Sequence, residues 1–332
     1  MIQKATIPFS VLDLASVREG GSVAESFRNT MSLAQHVERL GYKRFWLAEH
    51  HNMAGIASAA TSVLIGHVAG GTKTLRVGSG GIMLPNHAAL IIAEHFGTLE
   101  ALYPGRIDLG LGRAPGSDQL AARAIGRDPS AGDKFPEQVQ ELLRFLGPVA
   151  PGQRLQAVPG GGSNVPVWLL GSSLFSAHLA AVLGLPFAFA SQFAPAMMMD
   201  ALELYRSKFE PSVYLTRPYA MVGLPVIAAE TDDQAQYLVT SAYQRVLKLR
   251  RGEALYVPPP VQSMDGLWNE VERQMVAEHF GAAIIGGPET VERKLRAFID
   301  KTGADELMLH SEFYLHEDRL RSYEIVAGIF MK

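Results

Sequence analysis

Three short clusters in this sequence could do chemistry, and each sits where an apolar run ends. Gly171-Ser172-Ser173, with Ser176 one turn later, lies between an apolar run and a helical one. The first N–H groups of a helix have no partner within it and sit at the positive end of its dipole, so an anion binds there readily. Serine hydroxyls can add donors to phosphate oxygens. A serine that only caps the helix would account for one of these residues, not for three. Arg113, at the tip of another apolar run, offers a planar fork as countercharge. Gly80-Gly81 end a third run, and glycines at a strand tip let the backbone approach a flat ligand closely. Together these residues read as a cradle for a phosphate-bearing cofactor.

Glu49-His50-His51-Asn52 is the third cluster. Adjacent histidines at a strand end point in opposite directions, so both seldom reach one ion, and no H-E-x-x-H occurs; a metal is not expected. One histidine is expected to face the ligand as a hydrogen-bond donor or proton carrier. His87, His95, His178 and His279 fall in helical or loop contexts and read as structural or exposed. Gly110-x-Gly112-Arg113-x-x-Gly116 is not a dinucleotide fingerprint, because Pro115 stands where the third glycine is needed. Neither a Walker A lysine nor a G-x-S-x-G elbow is present.

The elements that must position these clusters follow from hydrophobic periodicity. Strands are expected at 6–12, 45–48, 75–80, 107–111, 167–170, 187–190, 219–228 and 306–309. Helices are expected at 23–40, 57–69, 88–102, 134–146, 174–183, 196–209, 232–250 and 288–301. Residues 147–164 form a Pro/Gly-rich excursion, and 252–280, broken by Pro258-Pro259-Pro260, are less regular. Strands mostly followed by helices imply an α/β chain and a (β/α)8 TIM barrel. It would be one domain with an insertion near 252–285. An open doubly wound sheet is the alternative, since periodicity cannot show closure. In a barrel the site lies at the carboxyl ends of the strands. Asp13, Glu49 to Asn52, Gly80-Gly81, Arg113, Gly171 to Ser173 and Ser191-Gln192 would then line one mouth. The 252–280 segment, with Tyr256 and Trp268, is long enough to act as a lid. Arg245, Lys248, Arg250 and Arg251 read as a solvated helix end beside it.

Composition narrows the function classes. The 332 residues contain no cysteine, which excludes disulfides, thiolate nucleophiles and cysteine-held clusters. A net charge of -3 argues against nucleic acid as the main partner. The most apolar stretch, 177–199, is interrupted by His178, Gly184-Leu185-Pro186 and Gln192, and reads as helix, turn and strand rather than a membrane span. No secretory signal precedes the first strand, so a cytoplasmic protein is expected.

The motifs together resemble the bacterial luciferase-like flavin monooxygenases. The similarity rests on Ala48-Glu49-His50-His51-Asn52, on 78–85 (GSGGIMLP), on Tyr103-Pro104-Gly105-Arg106 with Gly110-Leu111-Gly112-Arg113, and on Gly286-Gly287-Pro288-Glu289, in order along nearly the whole chain. It implies a (β/α)8 barrel binding FMN as its reduced form, FMNH2, delivered by a separate reductase, to oxygenate a small organic substrate with O2. His50 matches the catalytic histidine, which helps form and protect the flavin peroxide. Gly80-Gly81 match the site of a non-proline cis peptide beneath the flavin ring. Arg113, Ser173 and Ser176 match phosphate ligands, and Ser172 stands where luciferase has an acidic ligand. Gly112 and Ser191 replace a cysteine and a tryptophan of luciferase, and 252–280 does not match its mobile loop, so light emission is not part of the expectation. Relatives imply two alternatives, a deazaflavin-dependent dehydrogenase and a non-catalytic flavin-binding protein. The small-residue helix at 57–69 lies where family members join as homodimers.

Overall fold

The computed structural model of the chain describes residues 7–114, 118–128, 130 and 132–331. Thr6, Pro115 and Gly116 of the expected strand and glycine motif lie outside the described residues. The strands are β1 (Phe9–Asp13), β2 (Arg44–Leu47), β3 (Arg76–Ser79), β4 (Ile82–Met83), β5 (Ile107–Gly112), β6 (Val167–Gly171), β7 (Phe187–Ala190), β8 (Ala220–Ala228), β9 (Ile284–Gly286) and β10 (Glu306–His310). Between and after them run α1 (Val23–Arg39), α2 (Thr61–Gly71), α3 (Ala89–Leu102), α4 (Gln119–Ala124), α5 (Phe135–Leu146) and α6 (Leu174–Val182). They are followed by α7 (Met198–Ser207), α8 (Asp232–Leu238), α9 (Thr240–Arg251), α10 (Glu270–His279), α11 (Pro288–Thr302) and α12 (His316–Phe330).

All strand pairs are parallel, in the order β10-β1-β2-β3-β5-β6-β7-β8, and β8 pairs with β10 to close the ring. Two short strands stand outside this ring, β4 against β5 and β9 against β8. The closed (β/α)8 barrel is therefore the fold, and the open-sheet alternative falls. Alternation sorts the strand residues into two layers. Phe9, Val11, Phe45, Leu47, Val77 and Leu109 face outward into the helix-packed core. Leu12, Trp46, Ala48, Trp168, Ala188, Met221 and Met308 fill the barrel's interior. At the amino ends the interior closes on a buried ionic floor. Arg44 pairs with Asp108 at 2.6 Å and Glu306 at 3.0 Å, Arg76 reaches Asp108 at 2.6 Å, and Ser10 donates to Glu306 at 2.5 Å.

Several local outcomes differ from the periodicity. The helix expected at 232–250 is two, α8 and α9, separated only by Val239, whose φ of −65° and ψ of −19° remain helical. Residues 252–280 are partly regular, because Asn269 and Glu272 form a capping box that starts α10. The short α4 and the closing α12 lie where no helix was expected. The α12 sequence nevertheless has acidic residues in its first turn and apolar Leu320, Tyr323, Val326 and Phe330 at helical spacing.

The segment after α9 is fastened over the strand tips. Leu255 N–H donates to Ala54 O at 2.7 Å, Val257 N–H to Val17 O at 3.0 Å and Glu19 N–H to Val257 O at 2.8 Å. Arg250 and Arg251 are exposed as a solvated helix end requires, but Arg245 is not. It is 5% exposed, pairs with Glu312, and donates to Leu255 O at 2.9 Å and Ser16 Oγ at 3.0 Å. Its position one helical turn inside α9 turns it inward, where it joins this segment to the loop after β1.

Candidate active site

Strand tips from β2, β3, β5 and β6 bring most of the expected residues to one end of the barrel. The chain runs from β3 through Gly80-Gly81, a non-proline cis peptide, into β4. No side chain fits at Gly81, since a Cβ there would lie 2.7 Å from Gly110 O on β5. Close approach of these two backbones therefore requires glycine.

Glu49 organises the β2 tip. It is 1% exposed, and its Oε1 accepts from His51 Nε2 at 2.8 Å and His87 Nε2 at 2.9 Å. Its Oε2 accepts the Met83 N–H at 3.0 Å. Burial alone would raise the carboxyl's pKa, but the bonds from His87, His51 and Met83 outweigh it and hold the pKa below its ordinary value. A buried anion thus pins the residues after Gly80-Gly81 to the tip of β2. His87 had no visible role in the sequence; its place just past Pro85-Asn86 on the same rim is the signal that points to it. His50 is half-buried between Glu49 and His51. Continuing the alternation of Arg44, Trp46 and Ala48 puts it on the interior side.

At the opposite side of the mouth, Ser173 is the N-cap of α6 with φ of −142° and ψ of 167°, yet no side-chain hydrogen bond caps the helix. Its first-turn N–H groups therefore have no capping side chain, which removes the reading of Ser173 as a mere cap. Ser172 and Ser173 are half-buried and Ser176 is buried. A side chain at Gly171 would run into the Ser176 hydroxyl, so the glycine lets strand and helix meet closely there. Arg113 is exposed, with its guanidinium 4.1 Å from the ring centre of Phe175 in the first turn of α6. The sequence pointed to the arginine but not to this aromatic platform, which holds the fork flat beside the helix start.

Two expected mouth residues lie elsewhere. Asp13 is fully buried with odd, outward parity, and bonds Thr30 Oγ1 at 2.6 Å on α1 and Arg319 at 2.9 Å on α12. It ties helices to the barrel wall. Ser191 is buried and donates to Gly223 O. Conversely, His310 at the tip of β10 shares the interior parity of Met308 and lies 3.4 Å from Leu12 O through Nδ1. Burial, then the positive charges of Arg319 and Arg245, pull its pKa down to about 3. A histidine whose folded pKa lies below its unfolded value of about 6.5 favours folding only while neutral. Its contribution is complete above about pH 6.5 and is lost as pH falls towards 3, by up to about 1.4 kcal/mol per pH unit. Denaturant unfolding between pH 6.5 and 4.5 is expected to show a shallower loss of stability in His310→Gln than in the wild type. Parallel profiles would contradict this assignment.

Comparison with known proteins agrees with the barrel. The sequence profile of the luciferase-like monooxygenases matches residues 7–306. The chain is 52% identical over 325 residues to a luciferase-like monooxygenase of Escherichia coli (strain K12), covering 98% of this chain and 97% of that one. The crystal structure of apo-MsnO8 superposes with a TM-score of 0.87 at 34% identity, covering 98% of each chain. At 18% identity and a TM-score of 0.73, the oxygenating constituent of 3,6-diketocamphane monooxygenase from Pseudomonas putida, in complex with FMN, shares the fold over 98% of each chain. With its family profile matched along nearly its whole length, this chain belongs to the luciferase-like monooxygenases and is a monooxygenase of the flavin type.

Proposed function

We propose that the barrel mouth binds FMN and that the enzyme uses the reduced cofactor with O2 to oxygenate a small organic substrate. The observation that carries this reading is the α6 start, which lacks a side-chain cap and is flanked by Ser173, Ser176 and an arginine held flat on Phe175. Such a set fits a phosphate monoester. Ser173, Ser176 and Arg113 would hold the phosphate, with Ser172 beside them, and Gly80-Gly81 would lie beneath the ring. When bound, reduced FMN supplies the two electrons that let one atom of O2 enter the substrate and the other leave as water. The protein's part is to anchor, orient and exclude water. His50, on the interior side of the β2 tip, would hold or move a proton at its imidazole. The segment 252–280 would act as a lid over the mouth. A separate reductase would supply the electrons.

Arg113→Ala separates the phosphate reading from its rivals. Calorimetric titration is expected to show FMN binding weakened about tenfold, roughly 1.4 kcal/mol, with riboflavin binding unchanged. Equal weakening of both, or binding of a deazaflavin cofactor in place of FMN, would contradict it.

A homodimer joined through α2 and α3 is part of the same proposal. Val63 on α2 and Ile91 and Leu102 on α3 are 70%, 48% and 63% exposed, an apolar surface on two neighbouring helices. A single monomer-sized boundary in sedimentation velocity at micromolar concentration would remove it.

A further inference from the structure

Glu49, His51 and His87 bring one carboxylate oxygen and two imidazole nitrogens within 4.8 Å of one another. We propose that these three side chains form a binding site for one first-row divalent transition cation, with Glu49 Oε1, His51 Nε2 and His87 Nε2 as its ligands. Adjacent histidines seldom share an ion, but this set avoids that limit by joining His51 to His87 from the far side of Gly80-Gly81.

The two carboxylate–imidazole separations suit a metal. Bonds of about 2.1 Å set at right angles put neighbouring ligand atoms about 3.0 Å apart, and tetrahedral bonds put them about 3.4 Å apart. The two imidazole nitrogens lie 2.8 and 2.9 Å from Glu49 Oε1, close to the right-angled value. An ion would replace the two N–H hydrogens that now bridge to the carboxylate, so binding releases protons when the histidines start protonated. Two nitrogens and one oxygen favour zinc, nickel or iron over magnesium or calcium. The Met83 N–H on Oε2 fixes the carboxylate's orientation, which is the task of an outer hydrogen bond in metal sites. The carboxylate is 1% exposed while the His51 and His87 side chains are 22% and 28% exposed. An ion can therefore enter from the histidine side and keep water in its remaining positions. Once bound, it would tie the residues that follow Gly80-Gly81 to the loop that carries His50. The site stands apart from the flavin proposal, since none of its three ligands is assigned to FMN.

The test is calorimetric titration of the tag-free, chelator-treated protein with Zn2+. One ion per chain is expected, with affinity at least tenfold weaker in His51→Ala and in His87→Ala and unchanged in His95→Ala. A wild-type crystal soaked in Zn2+ decides the question even where a variant does not fold, through an anomalous peak touching all three ligand atoms. No stoichiometric uptake, undiminished uptake by a folded His87→Ala, or a peak elsewhere would overturn the proposal.

Discussion

Alanine at His50 is expected to cut turnover about 10²- to 10⁴-fold, the range for losing a positioned proton-transfer group, while FMN affinity changes by less than about threefold. The split follows from where the groups sit. The proposed phosphate grip lies at the tip of β5 and the start of α6, whereas His50 stands at the tip of β2. Its neighbour Glu49 is fixed by the bonds from His51, His87 and Met83, so removing the imidazole leaves the surrounding backbone in place. Oxygen uptake with reduced FMN and a substrate turned over by the wild type gives the first quantity, and flavin fluorescence titration gives the second. Equal loss in both would make His50 a binding residue and nothing more.

Asp108→Ala is expected to destabilise the barrel by about 3–5 kcal/mol, the cost of leaving a buried charge without its partner. Asp108 is fully buried and receives Arg44 and Arg76, both at 2.6 Å, and Trp46 Nε1 at 3.2 Å. Burial works against the Arg44 charge, but Asp108 and Glu306 outweigh it and raise the guanidinium's pKa above its ordinary value. With Asp108 gone, Arg44 keeps its ion pair with Glu306 and the face of Trp168 but loses its shorter ion pair, and Trp46 loses its acceptor. Urea unfolding measures the effect. Because this floor is at the amino ends of the strands, FMN affinity of the folded variant is expected to stay at the wild-type value. A loss of stability below about 1 kcal/mol would show that the floor's charges are hydrated or interchangeable.

The barrel strands were legible in the sequence because each combines a buried inner face with a buried outer face and ends at a turn residue. Closure was not legible, since the β1–β10 pairing joins residues 9–12 to 307–310 across the chain and leaves no local signal. Glycine and serine at strand ends announced the mouth because their chemistry needs no knowledge of neighbours. The ionic floor was hidden for the opposite reason. Arg44, Asp108 and Glu306 each look like an ordinary charge beside an apolar run until closure brings them together. Asp13 misled because the residue at a strand tip faces in or out by parity, and its parity sends it towards Arg319. The Glu49–His87 contact needed the turn after Gly80-Gly81 to bring residue 87 back to the β2 tip, which spacing alone does not reveal.

A crystal structure of the protein soaked with FMN measures the central claim most directly. The phosphate is expected at the start of α6, within hydrogen-bond distance of Ser173, Ser176 and Arg113, with the ring system over Gly80-Gly81 and facing His50. Electron density for the phosphate anywhere else, or a mouth that stays empty at saturating FMN, would contradict it.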